Sequence, residues 1–338
     1  MKPPLRLGYK ASAEQFGPRE LLDFAVAAEA NGFDSVFVSD HLQPWRYSDG
    51  HAPFALAWLG AVGERTSRVL LGTSVLTPTF RYHPAVVAQA FGTLGAMFPA
   101  RMILGVGSGE ALNEVALGVQ WPDSRERIAR LREAVQLIRA LCTEDEVTFE
   151  GQFYRMRNAK IYDRPPDPIP IYISAGGPQV ARLAGRAGDG LICTSGKGME
   201  LYSEQLLPSF NDGAKETGRD PRELDRMIEV KVSFDTDRKR AMEDTKIWAS
   251  LSLSAQQKTG VDDPRQMERL AKTVEDIAYK RWLVSDDPEE HIAQLQPYLD
   301  LGFTHLVFHA PTDHQARFIE LYGAQILPRI RERWSDAR

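Results

Sequence analysis

Apolar and polar positions along this chain fall into one recurring block pattern. A helical stretch ends at a glycine or a short turn, a run of apolar residues follows, and small or polar residues close the run. The runs lack polar alternation, which is expected for parallel strands that are covered on both faces. The pattern therefore predicts helices that alternate with buried parallel strands. Four segments show the whole unit: AVAAEANGFDSVFVSDH (25–41), LGAMFPARMILGVGSGE (94–110), VARLAGRAGDGLICTSG (180–196) and LQPYLDLGFTHLVFHA (295–310).

Four further apolar runs bring the number of predicted strands to eight: LRLG (5–8), VLLGTS (69–74), IPIYIS (169–174) and MIEVKVS (227–233). Eight strands with intervening helices in one chain predict a (β/α)8 TIM barrel, and we expect a single domain over residues 1–338. Two insertions are predicted, near 143–165 and 234–290. The first contains VTFEGQFYRMRNA, which predicts a small hairpin that turns at Glu150-Gly151.

Composition and charge limit the classes of partner. The chain has 338 residues and a formal net charge of -5, so nothing global favours nucleic acid or an anionic membrane. No window reaches the roughly 18 apolar residues of a membrane span. The chain has two cysteines, Cys142 and Cys193, so a disulfide framework is not needed. We therefore expect a soluble cytoplasmic protein.

In such a barrel the active site lies where the strands end at their carboxyl termini. His41 is the natural proton acceptor there, because imidazole exchanges protons near neutral pH, and Asp40 or Glu110 can orient it. A histidine can also simply cap a loop, and Trp45 is either a core aromatic or a wall against a flat ring. The polar and small residues at the predicted strand ends are Ser39, Asp40, His41, Thr73, Ser74, Thr77, Gly107, Ser108, Gly109, Glu110, Thr194, Ser195, Lys197 and His309.

Two glycine-rich turns and three basic residues indicate an anion site. GVGSGE (105–110) and SAGGP (174–178) follow strands, where backbone N–H groups can approach a phosphate. Neither turn is a GxGxxG with a following acid, so a nicotinamide dinucleotide is not implied. Lys197, Lys258 and Arg281 can bind a phosphate dianion as a set, although each alone is more typical of a solvated surface.

Metal binding and acyl transfer are competing uses of these side chains. Asp40, His41, His51, Glu110 and His309 are potential metal ligands, but H-x-H and H-E-x-x-H spacings are absent from the sequence, so we expect no metal. A G-x-S-x-G elbow is also absent, so serine acyl transfer has no support.

Several motifs together resemble one family, the glucose-6-phosphate dehydrogenases that use coenzyme F420, a 5-deazaflavin, within the luciferase-like barrels. The resemblance spans nearly the whole chain and implies a homodimer. The motifs are LGYKASAEQF (7–16), VSDHLQPW (38–45), GTSVLTPTFRYHPAVVAQAF (72–91), GVGSGEALNE (105–114), AGGP (175–178), GRAGDGLICTSGKG (185–198) and HLVFHAP (305–311).

The resemblance implies a role for each matching residue. His41 matches the base for the C1 hydroxyl of the sugar, Trp45 the indole beside the reaction centre, and Glu110 the acid near N1 of the deazaflavin. The Ser74-Val75 peptide bond is cis in this family. Cofactor contacts are implied for Asp40, Ser74, Val75, Thr77, Ser108, Asn113, Gly176 and Gly177. Contacts with the substrate phosphate are implied for Thr194, Lys197, Lys258 and Arg281.

The implied reaction transfers a hydride from C1 of glucose 6-phosphate to F420 and yields 6-phosphogluconolactone. Thr259 stands where the family commonly has histidine, so a broader specificity that includes fructose or mannose 6-phosphate is the nearest competing hypothesis. Three more distant hypotheses are an FMN-dependent luciferase-like monooxygenase, a deazaflavin reductase with another substrate, and a non-catalytic binding barrel.

Overall fold

Eight parallel strands close into a barrel in the computed structural model, which describes residues 2–334. Neighbouring strands follow chain order, and the barrel closes because the last strand of the eight pairs with the first. The predicted TIM barrel is therefore confirmed. Its strands are β1 (Arg6–Ala11), β2 (Ser35–Val38), β3 (Leu70–Thr73), β4 (Met102–Val106), β7 (Ile171–Ser174), β8 (Gly190–Thr194), β9 (Asp225–Phe234) and β11 (His305–His309).

Three short strands lie outside the barrel proper. β5 (Val147–Glu150) and β6 (Arg155–Ala159) form an antiparallel pair, which confirms the hairpin predicted in the first insertion. β10 (Leu283–Ser285) pairs with the end of β9 and was not predicted. A three-residue strand at the end of a charged insertion carries too few positions to show a periodicity.

Helices cover the outside of the barrel, and no helix within residues 2–334 is long and apolar enough to cross a membrane. The α-helices are α1 (Pro18–Ala30), α2 (Ala55–Arg65), α3 (Pro84–Met97), α4 (Ala111–Glu114), α5 (Ser124–Thr143), α6 (Pro178–Ala187), α7 (Leu207–Glu216), α8 (Arg238–Asp244), α9 (Ala255–Lys258), α10 (Pro264–Ala271), α11 (Pro288–Asp300), α12 (Gln315–Leu321) and α13 (Leu327–Trp334). Short 3-10 turns occupy Val115–Leu117, Thr245–Ser252 and Lys272–Arg281, and π-helical turns occupy Leu201–Leu206 and Tyr322–Ile326.

The barrel interior is layered along its axis, and the layers position the site. At the amino ends of the strands Asp225 accepts hydrogen bonds from Arg6 (2.8 Å) and Tyr172 (2.6 Å). An apolar layer follows, formed by Phe37, Ile103, Tyr172, Ile192, Met227 and Val307. Because side chains alternate along a strand, Glu229 and Lys231 face inward like Met227. They form a charged upper layer with Lys10, Ser74 and His309.

Candidate functional site

His41, Trp45 and Glu110 meet at the carboxyl end of the barrel. His41 and Trp45 follow β2, and Glu110 follows β4. The Trp45 indole donates to Glu110 Oε1 at 3.1 Å, and His41 Nε2 lies 3.4 Å from the same oxygen. The structure thus brings together the three side chains that were predicted as the catalytic group, although they come from two separate loops.

Glu14 completes this group on the other side of the imidazole. Its Oε1 lies 3.1 Å from His41 Nδ1, and its Oε2 accepts a hydrogen bond of 2.7 Å from the backbone N–H of Trp45. Glu14 is buried, and it follows β1 directly. One carboxylate therefore fixes both the imidazole and the backbone of the loop that carries the indole.

The two carboxylates hold the imidazole in its charged form. Burial lowers the pKa of His41, but the charges of Glu14 and Glu110 and a hydrogen bond that the ring donates to Glu14 outweigh burial and raise the pKa to about 9. The side chain of His41 is 18% exposed, so solvent screens this attraction only partly. A pKa raised above 7 favours the imidazolium at neutral pH, whereas a base needs the neutral ring. Its role as base therefore stays a prediction.

Asn113 ties the His41 loop to Glu110. Its Oδ1 accepts hydrogen bonds from the backbone N–H groups of Leu42 (2.6 Å) and Gln43 (2.9 Å). Its amide nitrogen donates to Glu110 Oε1 at 2.6 Å. Asn113 is buried, so all these bonds are shielded from competing water. A direct contact of Asn113 with a cofactor stays a prediction.

Asp40 has a different neighbourhood from the one that was predicted. Its carboxylate is fully buried, pairs with Arg81 and accepts a hydrogen bond from the Tyr82 hydroxyl at 2.9 Å. The backbone N–H of Ala55 points at its other oxygen at 3.4 Å. The hypothesis that Asp40 orients His41 is wrong, because Glu14 and Glu110 occupy both sides of that ring. The predicted cofactor contact of Asp40 is untested.

Ser74 and Val75 form one wall of the mouth. Their peptide bond is cis, as the resemblance implies. The Lys10 ammonium donates to Ser74 Oγ at 2.6 Å and to the Ser74 carbonyl at 2.5 Å. Val75 packs against Gly107, where a Cβ atom would lie 2.7 Å from a Val75 methyl carbon. A side chain at position 107 would thus push the wall into the mouth.

Glycines keep two further parts of the rim open. Gly109 has φ +84°, and a Cβ there would lie 3.0 Å from the Thr77 methyl group. Gly177 precedes α6, with Pro178 at its first turn, and a Cβ at Gly177 would meet nothing within 4 Å. The space beside Gly177 is thus open, and the amino end of a helix suits an anionic group. Ser108, on the first of these turns, is half-buried.

Lys197, Lys258 and Arg281 converge on the opposite side of the mouth. Burial lowers the pKa of each lysine, and the charge of Arg281 lowers both further. Arg281 donates to the Gly196 carbonyl in the turn that carries Lys197. Lys258 Nζ lies 5.1 Å from the centre of the Trp45 ring. The basic cluster is therefore contiguous with the His41 group. Thr194 lies at the end of β8, immediately before this turn.

A profile of the luciferase-like monooxygenase family matches residues 4–305 of this sequence. The chain belongs to the luciferase-like monooxygenase family.

Luciferase-like relatives at high identity share one name. The chain is 63% identical to the F420-dependent glucose-6-phosphate dehydrogenase of Nakamurella multipartita, over 97% of each chain. It is 61% identical to the protein of the same name from Intrasporangium calvum, over 97% of this chain and 99% of the relative. These identities confirm the resemblance on which the residue assignments were based.

Two solved structures are also similar to this chain. An F420-dependent secondary alcohol dehydrogenase in complex with an F420-acetone adduct superposes with a TM-score of 0.90 and 34% identity, over 96% of this chain and 98% of the other. The coenzyme F420-dependent tetrahydromethanopterin reductase of Methanopyrus kandleri gives a TM-score of 0.80 at 22% identity, over 96% and 99%, which supports the fold alone.

Sequence reasoning missed three side chains of this luciferase-like site. Lys10 lies in β1 and Glu14 in the turn after it. The predicted strand ended at position 8, whereas β1 ends at Ala11, and with that end the strand-end rule finds both residues. Arg81, the partner of Asp40, lies in a loop with no distinguishing pattern. Among the described residues, no three His, Cys, Asp or Glu side chains are grouped so that they could hold a metal ion.

Proposed function

We propose that this chain is an F420-dependent glucose-6-phosphate dehydrogenase, which transfers a hydride from C1 of glucose 6-phosphate to coenzyme F420 and yields 6-phosphogluconolactone. One observation carries the proposal: an acid-base group and an anion-binding group share one mouth, with Lys258 Nζ 5.1 Å from the Trp45 ring that also binds Glu110. The substrate class follows from this pairing, because the reacting hydroxyl and the phosphate belong to one small molecule. Relatives of that name at 61–63% identity support the proposal.

The basic group suits the substrate phosphate. Burial lowers the pKa of Lys197, Lys258 and Arg281, and the charge of Arg281 lowers the pKa of both lysines further. A bound dianion relieves that repulsion. Arg281 supplies a planar donor set and the lysines supply point charges. Thr194 is assigned a hydroxyl contact beside them. A sugar without a phosphate gains none of this attraction, so the cluster selects phosphorylated sugars.

The His41 group handles the proton of the C1 hydroxyl. As the hydride leaves C1, the hydroxyl proton must leave its oxygen, and His41 in its neutral form takes it. Glu14 and Glu110 hold the ring in place and stabilise the imidazolium that results. The same attraction keeps the resting ring protonated, so a base role requires that His41 first lose its proton. Trp45 keeps Glu110 in position and walls the reaction centre.

The remaining rim residues fit a flat, anionic cofactor. When bound, the deazaflavin supplies a ring carbon that accepts the hydride. The wall of Ser74 and Val75 would support one face of the ring, and the open amino end of α6 at Gly176 and Gly177 would hold an anionic group. The cofactor-binding set that we propose is Asp40, Ser74, Val75, Thr77, Ser108, Asn113, Gly176 and Gly177.

A broader sugar 6-phosphate specificity is the second candidate, and Thr259 favours it. Its hydroxyl donates to the Ala255 carbonyl at 3.0 Å, back into α9. That donor is therefore engaged, and Thr259 offers the sugar no imidazole at a position where the resembling family commonly has one. Fructose and mannose 6-phosphate are accordingly included among the substrates to be tested.

We also propose that the enzyme is a cytoplasmic homodimer. Its two cysteines are unpaired, which is consistent with a reducing compartment, and the dimer is implied by the family resemblance. Size-exclusion chromatography with light scattering tests the assembly: a mass near twice 37.9 kDa is expected, and a mass of one chain contradicts the dimer.

The decisive assay mixes the purified protein with oxidised F420 or with FMN. Glucose 6-phosphate, fructose 6-phosphate, mannose 6-phosphate or glucose is then added, and the loss of cofactor absorbance is followed. Bleaching of F420 by glucose 6-phosphate is expected, with little change for glucose or FMN. If no sugar phosphate bleaches F420, the proposal is wrong.

Two variants test the His41 group and the basic cluster separately. His41→Ala should reduce kcat by about 100-fold or more while F420 still binds, because only proton transfer is lost. Arg281→Ala should mainly raise KM for glucose 6-phosphate. Arg269→Ala is the matched control, since Arg269 is exposed in the same insertion. Equal KM changes in both arginine variants would contradict the phosphate assignment.

A further inference from the structure

The charged upper layer of the barrel holds more positive than negative charge. The single carboxylate of Glu229 lies 3.1 Å from Lys10 Nζ and 3.7 Å from Lys231 Nζ. His309 Nδ1 lies 3.6 Å from the same side chain, and burial keeps the pKa of His309 below its usual value, so the ring is neutral at pH 7. Lys10 already neutralises Glu229, and Lys231 remains as an excess buried cation.

Lys231 is almost fully buried, and its ion pair with Glu229 is loose, with 3.7 Å between Nζ and the carboxylate oxygen. Its side chain is 3% exposed, and within residues 2–334 its ammonium makes no hydrogen bond. Lys10, by contrast, donates two hydrogen bonds to Ser74 besides its ion pair. A largely buried ammonium that makes no hydrogen bond is costly unless an anion reaches it. We take this as the sign that a negative group binds at Lys231.

The backbone places Lys231 directly against the turn of the basic cluster. The Lys231 N–H donates to Ser195 Oγ at 2.8 Å, and the Ser195 N–H donates to the Glu229 carbonyl at 2.9 Å. The next residues of this turn, Gly196 and Lys197, carry the Arg281 contact and one cation of the cluster. Lys231 thus lies on the strand that braces this turn.

We propose that Lys231 is a fourth cation for the substrate phosphate, at the floor of the basic cluster. The proposal rests on the proposed function and adds a residue to its substrate site. Arg281, Lys197 and Lys10 face Lys231 with positive charge, and among the residues of 2–334 that act on it most strongly, Glu229 supplies the negative charge. Burial and those three cations lower the pKa of Lys231 to about 8, against the opposing effect of Glu229. A phosphate dianion there would supply the missing counter-charge.

The test compares Lys231→Gln, Lys231→Arg and the control Lys280→Gln, since Lys280 is an exposed lysine beside Arg281. Inorganic phosphate affinity is measured by thermal shift, KM by F420 bleaching with glucose 6-phosphate, and F420 affinity by fluorescence. Lys231→Gln should weaken phosphate binding and raise KM about 10-fold or more, because a charge-assisted contact is lost. F420 affinity should stay within about twofold of the wild type. Lys231→Arg should retain most of the phosphate affinity, and Lys280→Gln all of it.

A pH series separates binding from a structural role and does not depend on the stability of Lys231→Gln. Wild-type phosphate affinity should fall as pH rises through about 8, where Lys231 loses its proton, and Lys231→Arg should shift that fall to higher pH. Unchanged phosphate affinity in folded Lys231→Gln, or identical pH series for wild type and Lys231→Arg, overturns this inference alone. A wild-type protein that neither binds phosphate nor oxidises glucose 6-phosphate overturns the proposed function instead.

Discussion

Replacing Glu14 by glutamine tests how the protein sets the charge of His41. The amide keeps the size of the side chain and an oxygen for the Trp45 N–H, which Glu14 Oε2 now accepts at 2.7 Å. It removes the negative charge 3.1 Å from His41 Nδ1. The change is therefore close to a pure removal of charge.

The magnitude follows from the pKa of His41. Its rise from 6.5 to about 9 corresponds to about 3 kcal/mol of net preference for the charged ring. At pH 7 only about 1% of the rings are neutral. Removal of one of two nearby carboxylates should lower the midpoint by about 1 to 2 pH units, which raises the neutral fraction at pH 7 about 10- to 50-fold.

The assay is kcat at saturating glucose 6-phosphate between pH 6 and 10, in wild type and Glu14→Gln, because kcat does not include the loss of substrate affinity expected near pH 8. If neutral His41 is the base, wild-type kcat rises about tenfold per pH unit up to about 9, and the rise ends at lower pH in Glu14→Gln. A wild-type profile that is flat, or that falls as pH approaches 9, would falsify the base role and identify the imidazolium as the active form.

Stability gives an independent check of the same charge. Because the pKa of His41 is higher in the folded chain, its stabilising effect is fully present below pH 6.5 and is lost as pH rises through about 9. The wild-type melting temperature should therefore fall over this window more than that of Glu14→Gln. Parallel curves for the two proteins would show that Glu14 does not set the pKa of His41.

Three further substitutions have defined outcomes. Asn113→Ala removes the hydrogen bonds that hold the His41 loop and Glu110. Steady-state kinetics should show a fall in kcat of about 10-fold or more, and denaturant unfolding a loss of about 1 to 3 kcal/mol in the free energy of unfolding. Gly109→Ala places a Cβ at φ +84° and should cost about 1 to 2 kcal/mol and weaken F420 binding in a fluorescence titration. Asp225→Asn leaves Arg6 without its anion at the amino end of the barrel. The free energy of unfolding should fall by about 3 to 5 kcal/mol while KM values stay unchanged. An altered KM would contradict the view that this end of the barrel is separate from the active site.

The fold was largely predictable because its signal is local. Each strand is an apolar run that must be covered on both faces, and each helix ends at a glycine or turn that can be seen within a short window. The strand-end rule then placed His41, Glu110 and Lys197 at one mouth although they are far apart in sequence. The ends of the strands were less accurately predicted. Because the first strand was predicted to end at position 8, Glu14 was not recognised as a strand-end residue.

Pairing of charges was decided by the tertiary structure. Asp40 is adjacent to His41 in sequence, yet its carboxylate binds Arg81, while Glu14 and Glu110 reach the imidazole from other strands. In the sequence, Lys231 is one polar position within a predicted strand. The closed barrel places it between Glu229 and the turn at Lys197. The sequence alone determined which chemical groups stand at the ends of the strands. Which group faces which depends on distances across the barrel, because electrostatic attraction and desolvation act through space and not along the chain.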